Sequence, residues 1–132
     1  MLKKNKIVTV LLALVLTMAV SATALAVTTL ISEYNKPITS STPYVSATFT
    51  PSTDLINLRY GLYNSTSQYY STYALQALVG GSWYTIDDGN LNGLSTISTS
   101  FDVTAGTRYR MRVTTTDPYN RRLFCVVEDA GN

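Results

Sequence analysis

The sequence predicts an all-β protein: a single antiparallel β-sandwich of about seven strands behind a cleaved signal peptide. Three observations predict it. Tyrosine (ten residues) and the β-branched residues dominate, as suits half-buried pleated strands. Apolar and polar residues alternate with period two through most of the chain after residue 43. Glycine, proline, asparagine and aspartate punctuate it at roughly ten-residue intervals, the spacing of a sandwich or small barrel.

The first 26 residues read as an export signal. Met1–Lys6 is basic, Ile7–Val20 is an apolar run, and Ala24-Leu25-Ala26 is an A-x-A cleavage site. The apolar run is short for a bilayer span, which needs about 20 residues. The expected product is therefore secreted and extracellular, with no membrane association after cleavage. Removing the signal leaves 106 residues, enough for one core. It also takes away Lys3, Lys4 and Lys6, so the formal charge of +2 becomes −1. The basic character belongs to the signal and predicts no nucleic-acid partner.

Residues 27–42 are expected to be an irregular lead-in with a short strand near Thr28–Ser32, and residues 43–132 the sandwich domain. Pro43 opens a run in which Val45, Ala47 and Phe49 alternate with polar residues, and Pro51 ends it. Ile56, Leu58, Tyr60 and Leu62 share one face of the next strand, and Tyr63 lies on the other. Asn64–Ser67 is a turn. Tyr69–Val79 is a strand with Tyr69, Tyr73, Leu75, Ala77 and Val79 on one face. Gly80-Gly81 supplies the positive φ of a two-residue hairpin leading into Ser82–Ile86. Asp87–Gly93 reads as a loop. Ser95–Val103 alternates again, Thr104–Gly106 is a corner, and Tyr109, Met111 and Val113 oppose Arg108, Arg110 and Arg112. Arg121–Glu128 is the last strand, and Asp129–Asn132 a frayed end.

The segment Val103–Val113 resembles the corner between the fifth and sixth strands of fibronectin type III and immunoglobulin-like domains. It matches over 11 residues, with Ala105 where that family carries proline. The resemblance implies an immunoglobulin-like sandwich, with Val103 as core aliphatic, Gly106 as turn glycine and Tyr109 as the corner tyrosine whose hydroxyl ties back to upstream backbone. It implies nothing about function.

Composition removes several chemistries. The chain has no histidine, so no serine or cysteine nucleophile finds its usual base. No metal-ligand cluster and no phosphate-binding glycine loop is present, so no metal and no cofactor is expected. Cys125 is the only cysteine and lies in an apolar strand; it reads as a small core hydrophobe, with an intermolecular bridge as the other option. Asn64-Ser65-Thr66 matches a glycosylation sequon, relevant only in a eukaryotic source. Asp87-Asp88 reads as a solvated turn rather than a calcium site.

Two leads remain. Arg108, Arg110 and Arg112 form a row on one strand face, either a solvated surface neutralised by Glu128 or Asp102 on a neighbour, or an anion-binding stripe. Tyr63, Tyr70 and Trp83 sit on or beside faces away from the core, where an aromatic ring suits sugar stacking or a protein contact; tyrosine is equally an ordinary strand residue. The resulting expectation is a non-catalytic binding or interaction module directed at a glycan or a protein. A toxin- or bacteriocin-like polypeptide is the alternative. A glycosidase using only carboxylates from Asp54, Asp87, Asp88, Asp102 or Asp117 ranks last.

Overall fold

The computed structural model describes residues 27–93 and 95–131. The signal segment, 1–26, lies outside the described residues. Among the described residues eight strands follow one another without a helix: β1 (Thr29–Ile38), β2 (Tyr44–Val45), β3 (Leu55–Tyr63), β4 (Tyr70–Val79), β5 (Ser82–Asn92), β6 (Thr96–Asp102), β7 (Tyr109–Thr115) and β8 (Arg121–Asp129). They form two four-stranded sheets, β1-β8-β3-β6 and β2-β7-β4-β5, with every pairing antiparallel.

The pairings are nested. β4 pairs with β5 across the Gly80-Gly81 turn, where φ is +57° and +84°. Outside that pair lie β3 with β6, β2 with β7, and β1 with β8. Successive pairs fall in alternate sheets, so the chain is one long hairpin wound upon itself. This eight-strand double Greek key is the jelly-roll form of the β-sandwich. It corrects the immunoglobulin-like topology. There the last strand would lie beside the strand that leaves the corner; here β8 lies between β1 and β3 in the opposite sheet. A corner motif is local and does not determine how the chain winds beyond it.

Four local expectations also change. The lead-in is a ten-residue strand along β8, and its alternation is broken by register shifts between Thr29 and Ile31 and between Glu33 and Lys36, with Asn35 at φ 55°. Each bulge inverts the inward–outward order, which hides a strand from a period-two reading. The run after Pro43 is only a two-residue strand plus an isolated Phe49–Tyr109 bridge, and Tyr44 and Ser46, not Val45, point inward. Asp87–Asn92 is the second half of β5 rather than a loop. Finally, Asp129 is a buried β8 residue and not a frayed end.

The core lies between the sheets. Ile56, Leu58, Tyr60, Leu123, Cys125 and Val127 come from one sheet and Leu75, Met111 and Val113 from the other, all fully buried. Burial of that set is the main stabilising contribution, at about 1.5–3 kcal/mol per large side chain. The buried Tyr60 hydroxyl donates to Ser71 Oγ, so the phenol bridges the sheets without leaving a polar group unpaired.

Candidate functional site

Strand parity and register build one outer face on the sheet β2-β7-β4-β5. The alternation of β4 sends Ser71, Tyr73, Leu75 and Ala77 inward, and thus Tyr70, Thr72, Ala74, Gln76 and Leu78 outward. Register places Asn92, Asn90, Asp88, Thr85 and Trp83 opposite them on β5, and Thr114, Arg112 and Arg110 on β7. The phase of β7 is set at the corner. The Tyr109 hydroxyl accepts from the Thr104 N–H at 2.8 Å, and the Gly106 N–H, at φ +82°, donates to Pro51 O at 2.9 Å. Val103 packs half-buried against the core. With Tyr109 pinned inward, Arg108, Arg110 and Arg112 must point out.

The structure therefore brings Tyr70, Trp83 and the three arginines onto one face. It separates Tyr63, which lies on β3 in the opposite sheet against Phe124. Alternation tells the two faces of a strand apart, but not which sheet the strand joins, so the grouping of Tyr63 with Tyr70 does not hold.

The arginine row is also organised differently from expectation. Glu128 and Asp102 belong to the opposite sheet, where Glu128 lies 3.8 Å from Arg59. Arg110 instead donates from Nε to Gln76 Oε1 at 2.9 Å, and Gln76 Nε2 donates to Thr85 Oγ1 at 3.2 Å. The Arg110 guanidinium lies 4.3 Å from the centre of the half-buried Trp83 ring. Trp83 is thus covered by its neighbour and is not a bare platform. Arg108 is exposed, and Arg112 lies half-buried between Ala74 and Val45. Neither makes an ion pair among the described residues.

The open ring is Tyr70, 59% exposed. It borders a surface depression of about 440 Å³ lined by Tyr70, Thr72, Asn90, Leu91 and Asn92. Thr72 Oγ1 donates to Asn90 Oδ1 at 2.7 Å, and Asn92 Nδ2 donates to Ser67 O at 2.9 Å, so both amides are held in fixed orientations. The backbone under Tyr70 is fixed too: its carbonyl accepts from the Thr116 N–H at 2.9 Å. Asn90 and Asn92 escape a sequence reading that treats residues 87–93 as a loop. Counting register outward from Gly80-Gly81 would reach them only with the bulge opposite Leu75 and Gln76 included.

Asp54 and Asp102 stand close together at one end of the β3–β6 pair, and Asp87 and Asp88 are consecutive on β5. Asp117 is fully buried, accepting from Ser65 Oγ at 2.9 Å, the Tyr119 N–H at 2.9 Å and Arg121 Nε at 2.7 Å. Burial pushes its pKa up, but these donors outweigh that and hold it below the ordinary carboxylate value. It is committed to structure. Among the described residues no group of three metal-binding side chains occurs, and no helix is long and apolar enough to cross a membrane.

No protein-family profile matches the chain, and no curated protein does. Among solved structures it is similar to a mitogen derived from Yersinia pseudotuberculosis, at 12% identity and a TM-score of 0.48, covering 78% of this chain and 87% of that one. It is also similar to part of a β-fructofuranosidase from Schwanniomyces occidentalis complexed with fructosyl-erythritol, at 9% identity and a TM-score of 0.39. There the match covers 79% of this chain and 34% of the enzyme. These likenesses are too loose to carry a role from those proteins to this one.

Proposed function

We propose that this is an exported, non-catalytic module that binds carbohydrate on the outer face of the sheet β2-β7-β4-β5. The observation that carries the reading is the exposed Tyr70 ring beside the fixed Thr72–Asn90 pair in one depression. A sugar presents an apolar C–H face and a rim of hydroxyls. A ring flanked by oriented amides and hydroxyls meets both requirements, and their pre-ordering lowers the entropic cost of binding. Arg112, without an ion-pair partner among the described residues, extends the surface toward polar or anionic substituents. Export rests on the signal-like pattern of residues 1–26.

The test is a glycan array probed with the purified protein, followed by calorimetry on any hit. Tyr70→Ala and Asn90→Ala should each weaken binding at least about tenfold, equivalent to about 1.4 kcal/mol. Trp83→Ala should matter less, because Arg110 already covers that ring. An array without signal, or affinity unchanged in both Tyr70→Ala and Asn90→Ala, would sink the reading.

A further inference from the structure

The opposite face carries a second aromatic feature. Tyr34 on β1, Phe124 on β8 and Tyr63 on β3 form a row across three adjacent strands of the sheet β1-β8-β3-β6. The Tyr34 and Phe124 rings lie 6.2 Å apart and 19° from parallel; Phe124 and Tyr63 lie 5.7 Å apart at 42°. Tyr34 is 54% and Tyr63 40% exposed, with Phe124 half-buried between them.

Two local features build the row. Gly61 pairs with Phe124, and a Cβ at Gly61 would come within 2.8 Å of both the Phe124 ring and Thr96. The missing side chain lets the ring lie down over β3. The second feature is the irregular stretch of β1 between Glu33 and Lys36, with Asn35 at φ 55°, which carries Tyr34 alongside Phe124. Arg122, exposed and paired with Tyr63, donates from Nη1 to Asn35 O at 3.3 Å, so a guanidinium is tethered at the edge of the row.

We propose that the Tyr34–Phe124–Tyr63 row is a second saccharide site, for an acidic pyranoside chain. The area and the backbone pairing favour a sugar over a protein. Three partly exposed rings offer at most a few hundred Å², against about 800 Å² buried on each side of a stable protein interface. β8 and β3 are both paired on two sides, so their parts of the row offer no free strand edge to an extended peptide. Charge selects an acidic sugar. Arg122 is tethered beside the row, Glu33 is turned toward the Tyr44 hydroxyl and the Ala47 N–H, and Glu128 lies 3.8 Å from Arg59. Asp102, paired with Leu55, stands at the far end of β3. The site lies on the other sheet from Tyr70 and does not depend on it.

The experiment uses an array of uronate- and sialate-bearing oligosaccharides with their uncharged counterparts, followed by calorimetry with a galacturonate hexamer and sialyl-lactose. The unaltered protein and Tyr70→Ala should both bind acidic probes. Tyr34→Ala and Tyr63→Ala should each weaken that binding about tenfold or more. Arg122→Gln should weaken acidic probes and leave uncharged ones unchanged, and circular dichroism should show all variants folded. In the Tyr70→Ala background, the proposal is overturned by an absence of acidic-glycan binding or by binding that survives the added Tyr34→Ala/Tyr63→Ala double substitution. A protein dimer that dissociates on Tyr34→Ala would overturn it equally, by assigning the row to a second copy of the chain.

Discussion

Arg110 holds its guanidinium 4.3 Å from the centre of the Trp83 ring while its Nε is anchored on Gln76. Three strands are thereby joined by one side chain, and the only tryptophan in the protein loses part of its contact with water. Removing the cation should be visible in that tryptophan alone. Arg110→Ala is expected to shift Trp83 emission to longer wavelength, increase its quenching by acrylamide, and cost about 0.5–1 kcal/mol in denaturant unfolding. An unchanged emission spectrum would show that the stacked pair does not persist in solution.

Asp129 ties the end of β8 to the segment after β2. It accepts from the Ser52 N–H at 3.2 Å, Ser52 Oγ at 2.7 Å and Thr53 Oγ1 at 3.2 Å. Burial raises its pKa, but the Ser52 and Thr53 donors outweigh burial and hold it below the ordinary value. A carboxyl whose pKa is lowered by folding stabilises fully above its unfolded pKa, about 3.9. That contribution fades as pH falls through the lower folded value. Asp129→Asn should cost about 1–3 kcal/mol at pH 7. Below about pH 4 its stability should vary less with pH than that of the unaltered protein. Urea titrations at neutral and acidic pH check both statements.

Gly89 has a steric reason to be glycine. A Cβ there would sit 2.2 Å from the Tyr73 hydroxyl oxygen and 2.5 Å from its ring. Gly89→Ala should therefore lower stability by about 1–3 kcal/mol. Shortening the neighbour in Gly89→Ala/Tyr73→Leu should make the two losses less than additive. Strict additivity in a thermal-melt cycle would refute the contact.

Cys125 is fully buried, and its thiol is pushed up to about 12, chiefly by that burial. The thiolate is the reactive form. The folded protein should stay inert to an aromatic disulfide reagent at pH 8 and react fully once unfolded in guanidinium. Its redox state should likewise leave it monomeric on non-reducing gels. Rapid labelling of the native protein would contradict the burial.

Legibility in the sequence followed local regularity. β4 and β7 alternate cleanly, and the inward Tyr73, Leu75 and Ala77 and the outward arginines follow directly from parity. β1 was hidden because two register shifts break its period, and the second half of β5 because Asp, Gly and Asn look like turn residues when Tyr73 covers the glycine and Thr72 bonds to Asn90. The winding of the chain was not legible. The tyrosine corner is local, whereas the position of β8 depends on pairings with β1 and β3 many residues away. For the same reason Tyr70 could be singled out, while Tyr63 could not be assigned to its sheet and its partners Tyr34 and Phe124 gave no signal until β1 and β8 lay side by side.

The nesting of the strand pairs sets an order of assembly. The hairpin around Gly80-Gly81 closes over two residues and can form early, as soon as β5 exists. The sheet β1-β8-β3-β6 has its last-made strand in the interior, between β1 and β3, rather than at an edge. Until Arg121–Asp129 is available, β1 has no partner, β3 has one open side and half the core faces water. Folding is then a late, long-range closure, slow by the measure of contact separation. The early hairpin is therefore a local structure that waits on β8 before the two sheets can close over a common core.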